Sequence, residues 1–154
     1  MSEGIGARVL RKEDKRFITG KGRYTDDIVE ANQAYAAFVR SPHAHARIIA
    51  IDTSAAMAIE GVETVLMGPE LVADGIGNII CGWGVTSKDG SAMNMGAWSA
   101  LATDKVRYVG DAVAIVVADS KSIAKLAAEA VVVTYEELPV VVGSVQALAK
   151  GAPQ

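Results

Sequence analysis

Short apolar runs, several alternating with polar residues, are spread along the chain from about residue 33, and one later stretch repeats its apolar positions at helical spacing. Residues 33–40 (QAYAAFVR) predict a strand carrying Tyr35 and Phe38 and stopped by Pro42. Residues 46–51 (ARIIAI), β-branched at their centre, predict a second. Asp52-Thr53-Ser54 offers an N-cap for a short helix running to about Ile59 and closed by Gly61. Residues 62–67 (VETVLM) alternate, with Val62, Thr64 and Leu66 on one face and Glu63, Val65 and Met67 on the other. Gly68-Pro69 then opens a turn with one helical turn behind it. Residues 74–100 show no regular period and hold six glycines, both tryptophans and Cys81, the length of loop that is commonly an interaction element.

Regular patterning returns at residues 105–108, a short strand, followed by a bend at Val109-Gly110-Asp111. Residues 112–118 (AVAIVVA) form a near-continuous β run of the kind buried on both faces. Asp119 or Ser120 caps a helix through Ala130, in which Ile123, Leu126, Ala127 and Ala130 make one apolar stripe. Residues 131–135 predict a strand and residues 140–142 a short extended piece, and Ser144 caps a last helix ending near Lys150. The helices are too few and too short for a doubly wound sheet. The pattern predicts an α+β domain: a small mixed curved sheet, two or three packed helices and a long Gly-rich loop.

Composition changes this picture little. At 154 residues and 16.0 kDa the chain can bury roughly 68–70% of its unfolded surface, enough for a core without disulfides. With 51% hydrophobic and 21% charged residues, intrinsic disorder is excluded. Aromatics make up 5% while alanine fills 26 positions, so the core must rest on Val, Ile, Leu and a few rings. A net charge of −3 gives no general attraction for nucleic acid or anionic membranes. No stretch reaches the ~18 uncharged apolar residues of a membrane span, and charges stand where a signal peptide would carry its apolar stretch. A cytoplasmic protein is expected. The single cysteine excludes a disulfide within the chain and any site built on several thiolates.

Charge is uneven in one place. From Arg8 to Arg23 seven basic side chains face two acidic ones, Glu13 and Asp14. Residues 1–23 read as a basic, extended arm ending in a turn, and residues 24–154 as one domain. The arm is either a solvated terminus or a segment that orders against a neighbour through Val9, Leu10, Phe17 and Ile18.

Candidate chemistry is weak throughout. His43 and His45 would share a face if they lay on a strand and could then grip a cation, with Asp26, Asp27 or Asp52 as a third ligand; Pro42 puts them at a strand boundary, where ordinary hydrogen-bonding histidines are the expectation. Gly75 and Gly77 begin a dinucleotide-like fingerprint that lacks its third glycine, its preceding strand and its following helix. Cys81 reads as a buried or semi-buried inert thiol. The doublets Asp26-Asp27 and Glu136-Glu137 point their neighbours to opposite faces on extended backbone, so neither is a natural acid/base couple. Trp83 and Trp98 are either interface anchors or core. No catalytic, cofactor-binding or metal-ligating residue emerges from this reading.

The order of several blocks says more. They are residues 19–28 (TGKGRYTDDI), 37–48 (AFVRSPHAHARI), the helix start at Ile51-Asp52-Thr53-Ser54-Ala55 with Gly61-Val62, residues 101–114 (LATDKVRYVGDAVA) and residues 133–139 (VTYEELP). Together they resemble the N-terminal a/b hammerhead domain of the molybdenum hydroxylases, the family of xanthine dehydrogenase, aldehyde oxidase and aerobic carbon monoxide dehydrogenase. The first two blocks are most similar to the carbon monoxide dehydrogenase-like branch. The resemblance runs from about Ile5 to the last residue. It implies a large subunit that hydroxylates a small substrate with water as oxygen source at a molybdenum-pterin centre. Electrons would pass to iron–sulfur clusters and FAD on partner domains or subunits. On this resemblance the cofactor and the catalytic glutamate belong to a longer region beyond residue 154, as does the choice among carbon monoxide, aldehydes and N-heterocycles. The chain is thus expected to hold no cofactor of its own and to be inert alone, as an excised piece or one part of a split subunit. Its partners would be the rest of the large subunit and the iron–sulfur and flavin components. The competing expectation is a free-standing small-molecule binding or regulatory module, marked by an apolar pocket around Trp83 and Trp98.

Overall fold

The computed structural model describes residues 4–6, 9–93 and 95–153. They divide into two compact units, residues 1–33 and 34–154. Arg8, first of the basic residues, lies outside the described residues.

In the first unit the basic stretch is not extended throughout, as its lack of apolar period suggested. It contains a five-residue helix, α1 (Asp14–Ile18), followed by a 3-10 turn at Thr25–Asp27. Charge order explains the helix: Asp14 sits in its first turn, Lys15 and Arg16 in its last, which suits the helix dipole. Arg11 pairs with Asp14 at 3.1 Å, and the Thr19 hydroxyl donates to the Lys15 carbonyl at 2.6 Å. Phe17 stacks on Tyr24, ring centroids 5.5 Å apart, so this apolar anchor is engaged within its own unit.

The second unit contains two three-stranded antiparallel sheets. One has the order β1 (Tyr35–Arg40), β5 (Ala112–Ala118), β3 (Val62–Met67); the other β4 (Lys105–Val106), β2 (Ala46–Asp52), β6 (Val132–Glu137). The α+β architecture expected from the sequence is present, with its strands shared between two sheets. The central β5 is sheltered as its apolar run predicted: Val113, Ala114, Val116 and Ala118 are all fully buried.

Two apolar clusters hold the unit together. Ala56, Val65, Ala114, Val116, Ala127 and Val131 form one, and Ala46, Ala102, Val106 and Val113 the other. Ile51 and Val133 pack against both and tie the sheets together. The long helix, α4 (Lys121–Ala130), starts as predicted: the Ser120 hydroxyl accepts from the Ile123 N–H at 3.2 Å. Its buried face differs from the predicted stripe. Ala124 and Ala127 are buried, whereas Leu126 is 57% exposed. Alanines on the helix meet Ala114 and Val116 of the sheet, and this close approach leaves no room for a leucine.

Other boundaries moved for local reasons. The helix α2 (Ser54–Met57) stops earlier than expected, and the Asp52 carboxylate accepts from both the Ser54 N–H (2.9 Å) and its hydroxyl (2.6 Å) at the helix start. Behind Gly68-Pro69 stands a six-residue helix, α3 (Gly68–Ala73), with the proline in its first turn. The strand predicted over residues 105–108 ends at Val106, because the Arg107 N–H donates to the Asp111 side chain at 3.0 Å instead of to a neighbouring strand. Residues 140–142 pair with no strand, and Val142 is 93% exposed. The last helix, α5 (Ser144–Ala147), is capped by Gly143, so Ser144 is its first residue and not its cap.

Candidate functional site

Two of the sequence blocks singled out above meet in space. The connection from β1 to β2 carries Ser41, Pro42, His43 and His45; the bend between β4 and β5 carries Arg107 to Asp111. Ser41 is the hinge of the junction and is almost completely buried. Its N–H donates to the Asp111 carbonyl (2.9 Å), and its own carbonyl accepts from the Gly110 N–H (2.8 Å). Its hydroxyl accepts from the His43 N–H (3.0 Å) and lies 3.1 Å from the His43 carbonyl, closing a tight local turn. Gly110 has φ +92°, a left-handed conformation that a side chain would strain, and its carbonyl accepts from the Arg40 guanidinium at 2.9 Å.

The end of β6 completes the junction. The His43 ring lies against Tyr135, centroids 4.9 Å apart, and its Nδ1 is 3.6 Å from the Glu137 carboxylate. Burial pushes the half-buried Tyr135 phenol above its ordinary range, the Ser41 hydroxyl pulls it back, and the Asp111 charge adds to the rise. His45 turns elsewhere. Its Nδ1 lies 2.8 Å from the Pro139 carbonyl, which can only accept, so Nδ1 carries the proton. Its Nε2 is buried without a hydrogen-bond partner.

The two imidazoles therefore engage different groups around the end of β6 and do not converge on a cation. Asp52 lies at the far end of β2, where its carboxylate is engaged by Ser54, and Asp26 and Asp27 belong to the other unit, where Asp27 accepts from the Tyr24 N–H at 2.8 Å. Among the described residues no group of three His, Cys, Asp or Glu side chains is placed to hold a metal. Glu136 and Glu137 point apart as their strand position requires. Glu136 meets Arg47 across the sheet at 3.2 Å, and Glu137 meets His43.

Among the loop candidates, only Cys81 departs from its expected setting. Gly75, at φ +77°, ends α3, and Gly77 opens no phosphate-binding turn. Cys81 is exposed rather than buried or semi-buried, because the loop around it runs over the surface; its Sγ is 3.7 Å from the Trp83 carbonyl. Trp83 is 82% and Trp98 58% exposed, so neither is core. Trp98 tilts over Tyr108 at 5.8 Å beside a cavity of about 80 Å³, and a second cavity of about 160 Å³ lies beside His45 and Arg107. Both fall well below the roughly 300–1,000 Å³ of a typical organic ligand site. Neither of the two is large enough for a pterin-sized group.

Sequence reasoning named the histidines but missed Ser41, Asp111 and Tyr135. The Ser-x-His spacing and the Gly-Asp bend were the available signals. The arrangement they make is a hydrogen-bonded latch joining three chain segments.

Comparison with known proteins agrees with this assignment of blocks. The profile of the family described as aldehyde oxidase and xanthine dehydrogenase, a/b hammerhead domain, matches residues 19–139. The chain is 41% identical over 150 residues to the carbon monoxide dehydrogenase large chain of Hydrogenophaga pseudoflava, covering 97% of this chain and 17% of that one. It is 44% identical over 137 residues to the nicotine 6-hydroxylase large subunit of Paenarthrobacter nicotinovorans, covering 89% of this chain and 16% of that one. Among solved structures, quinoline 2-oxidoreductase from Pseudomonas putida 86 superposes with a TM-score of 0.79 at 40% identity, over 96% of this chain and 18% of that one. The Cu,Mo-CO dehydrogenase gives 0.75 at 39% identity, over 97% and 18%. The chain thus spans about a sixth of the length of these relatives.

Proposed function

Because the chain belongs to the a/b hammerhead domain family of aldehyde oxidase and xanthine dehydrogenase, we propose that it acts as a packing and subunit-contact domain of a molybdenum hydroxylase large subunit. The observation that carries this reading is proportion: nearly the whole chain aligns, yet it accounts for only 16–18% of each relative. The latch at Ser41, His43 and His45 supports it, since these side chains are spent on holding segments together. In this reading the chain contributes no catalytic, molybdenum-binding or pterin-binding residue and is inert by itself. The molybdenum-pterin group, with iron–sulfur clusters and FAD, is held by the remaining large subunit and its partners. In this reading the assembly is cytoplasmic. No helix among the described residues is long and apolar enough to cross a membrane, which by itself sets no location.

The basic residues from Arg11 to Arg23 take a defined role here. They order against the rest of the large subunit or an iron–sulfur partner, adding charge-assisted contacts to those made by apolar side chains. Two measurements test the proposal. The purified chain should contain no stoichiometric molybdenum and should not reduce a dye with carbon monoxide, an aldehyde or an N-heterocycle; turnover would overturn the reading. Hydrogen exchange across residues 11–23 should slow when partner chains are added, and unchanged exchange would remove the role given to the arm.

A further inference from the structure

The irregular stretch between α3 and β4 has an internal order. The Ile79 N–H donates to the Trp98 carbonyl at 2.7 Å, Met93 to Val85 at 3.1 Å, and Ser87 to Ser91 at 2.8 Å, with a bridge between Thr86 and Ala92. The segment is a loose two-stranded ribbon. At its tip, the Asp89 carboxylate accepts from the Ser91 N–H (3.0 Å) and hydroxyl (2.6 Å), closing a turn. Between Asp74 and Asp104 the only charged residues are Lys88 and Asp89, both in that tip. Along the shank, Ile79, Ile80, Trp83, Val85, Met95 and Trp98 are each at least half exposed.

Exposed apolar surface of this extent, without charge, marks an interface. Its chemistry narrows the kind. Permanent interfaces resemble a domain core cut in half, and their centres are depleted of charge and enriched in Trp and Met. The shank has both tryptophans and Met95. An uncharged surface also lacks the electrostatic steering that sets partner and register between separate molecules. A covalent tether supplies both instead, at an effective concentration in the millimolar range for short linkers. The relatives provide the candidate: more than four fifths of each one's length lies outside the part this chain matches.

We propose that the ribbon is a docking clasp. Its apolar shank is buried against the remaining portion of the same large subunit, while Lys88 and Asp89 at the tip stay in water. This rests on the large-subunit reading given above and names the surface through which it operates. The basic first unit and the uncharged ribbon then divide the work, one suited to charged neighbours and the other to an apolar one.

The test uses the full-length large subunit in its assembled enzyme. Oxidative footprinting should modify Trp83 and Met95 at least about tenfold more slowly in the assembly than in the 154-residue chain alone, with Lys88 acetylated at a similar rate in both. A benzophenone amino acid in place of Trp83 should crosslink within its own large subunit. Equal labelling of Trp83 in both samples would overturn the proposal, as would crosslinking to a second copy or to another subunit. Trp83→Asp should reduce the yield of assembled enzyme, and Lys88→Glu should leave it unchanged. Molybdenum content of the same preparation separates the two ideas. A protected shank without molybdenum supports the clasp and defeats the hydroxylase reading; a labelled shank with molybdenum present does the reverse.

Discussion

His45 holds Pro139 by a 2.8 Å contact from Nδ1 to the proline carbonyl, while its own carbonyl accepts from the Leu138 N–H at 2.9 Å. One residue at the start of β2 thus binds both residues of the break that follows β6. His45→Ala should lower unfolding free energy by about 1–2 kcal/mol, the scale of one lost hydrogen bond with some lost packing. Urea denaturation gives the magnitude, and faster exchange of the Leu138 amide would locate it.

Tyr135 predicts a dependence at high pH. Its phenol is held neutral by burial, so the folded-state pKa lies above the unfolded value of about 10. The folded state then keeps its proton where the unfolded state gives it up. The associated stability is complete below the unfolded pKa and is lost as pH rises through the folded one. Urea midpoints of the parent should therefore fall from about pH 10 upward, and Tyr135→Phe should fall less over the same range.

The packing of α4 is tested by two substitutions on adjacent residues. Leu126→Lys should change stability by no more than about 0.5 kcal/mol, since the side chain already faces water. Ala127→Leu should cost about 1–3 kcal/mol, because it forces extra volume between the helix and Ala114 and Val116. The opposite ranking would mean that the helix is rotated about its axis.

Gly68 is buried at the start of α3, where an added Cβ would collide with the backbone carbonyl of Ala102. Backbone cannot move aside as a side-chain tip can. Gly68→Ala should cost about 1–3 kcal/mol in thermal or urea unfolding. Gly77→Ala, where a Cβ meets nothing within 4 Å, serves as the control and should be close to neutral.

Much of the fold was legible because it rests on local patterning. Strands β1, β2, β3, β5 and β6 follow from β-branched and alternating runs, and Ser120 caps its helix as a serine at that position should. What moved did so through contacts far apart in sequence or side chains that captured backbone groups. Asp111 ended β4 by taking the Arg107 N–H, and the alanines of α4 became the buried face because the sheet beneath them is close. Leu126 is the more hydrophobic residue, yet burial is decided by available volume.

By itself the sequence determined the α+β class, most strands and the family, since periodicity, caps and ordered motif blocks are written in neighbouring residues. Only the tertiary structure decided what those motifs do. His43 and His45, two residues apart, serve Tyr135 with Glu137 and Pro139 respectively, partners about ninety positions away that no local pattern could assign. The same holds for Trp83 and Trp98: an aromatic side chain reads alike in core and interface, and only their exposure in the fold shows that neither is core.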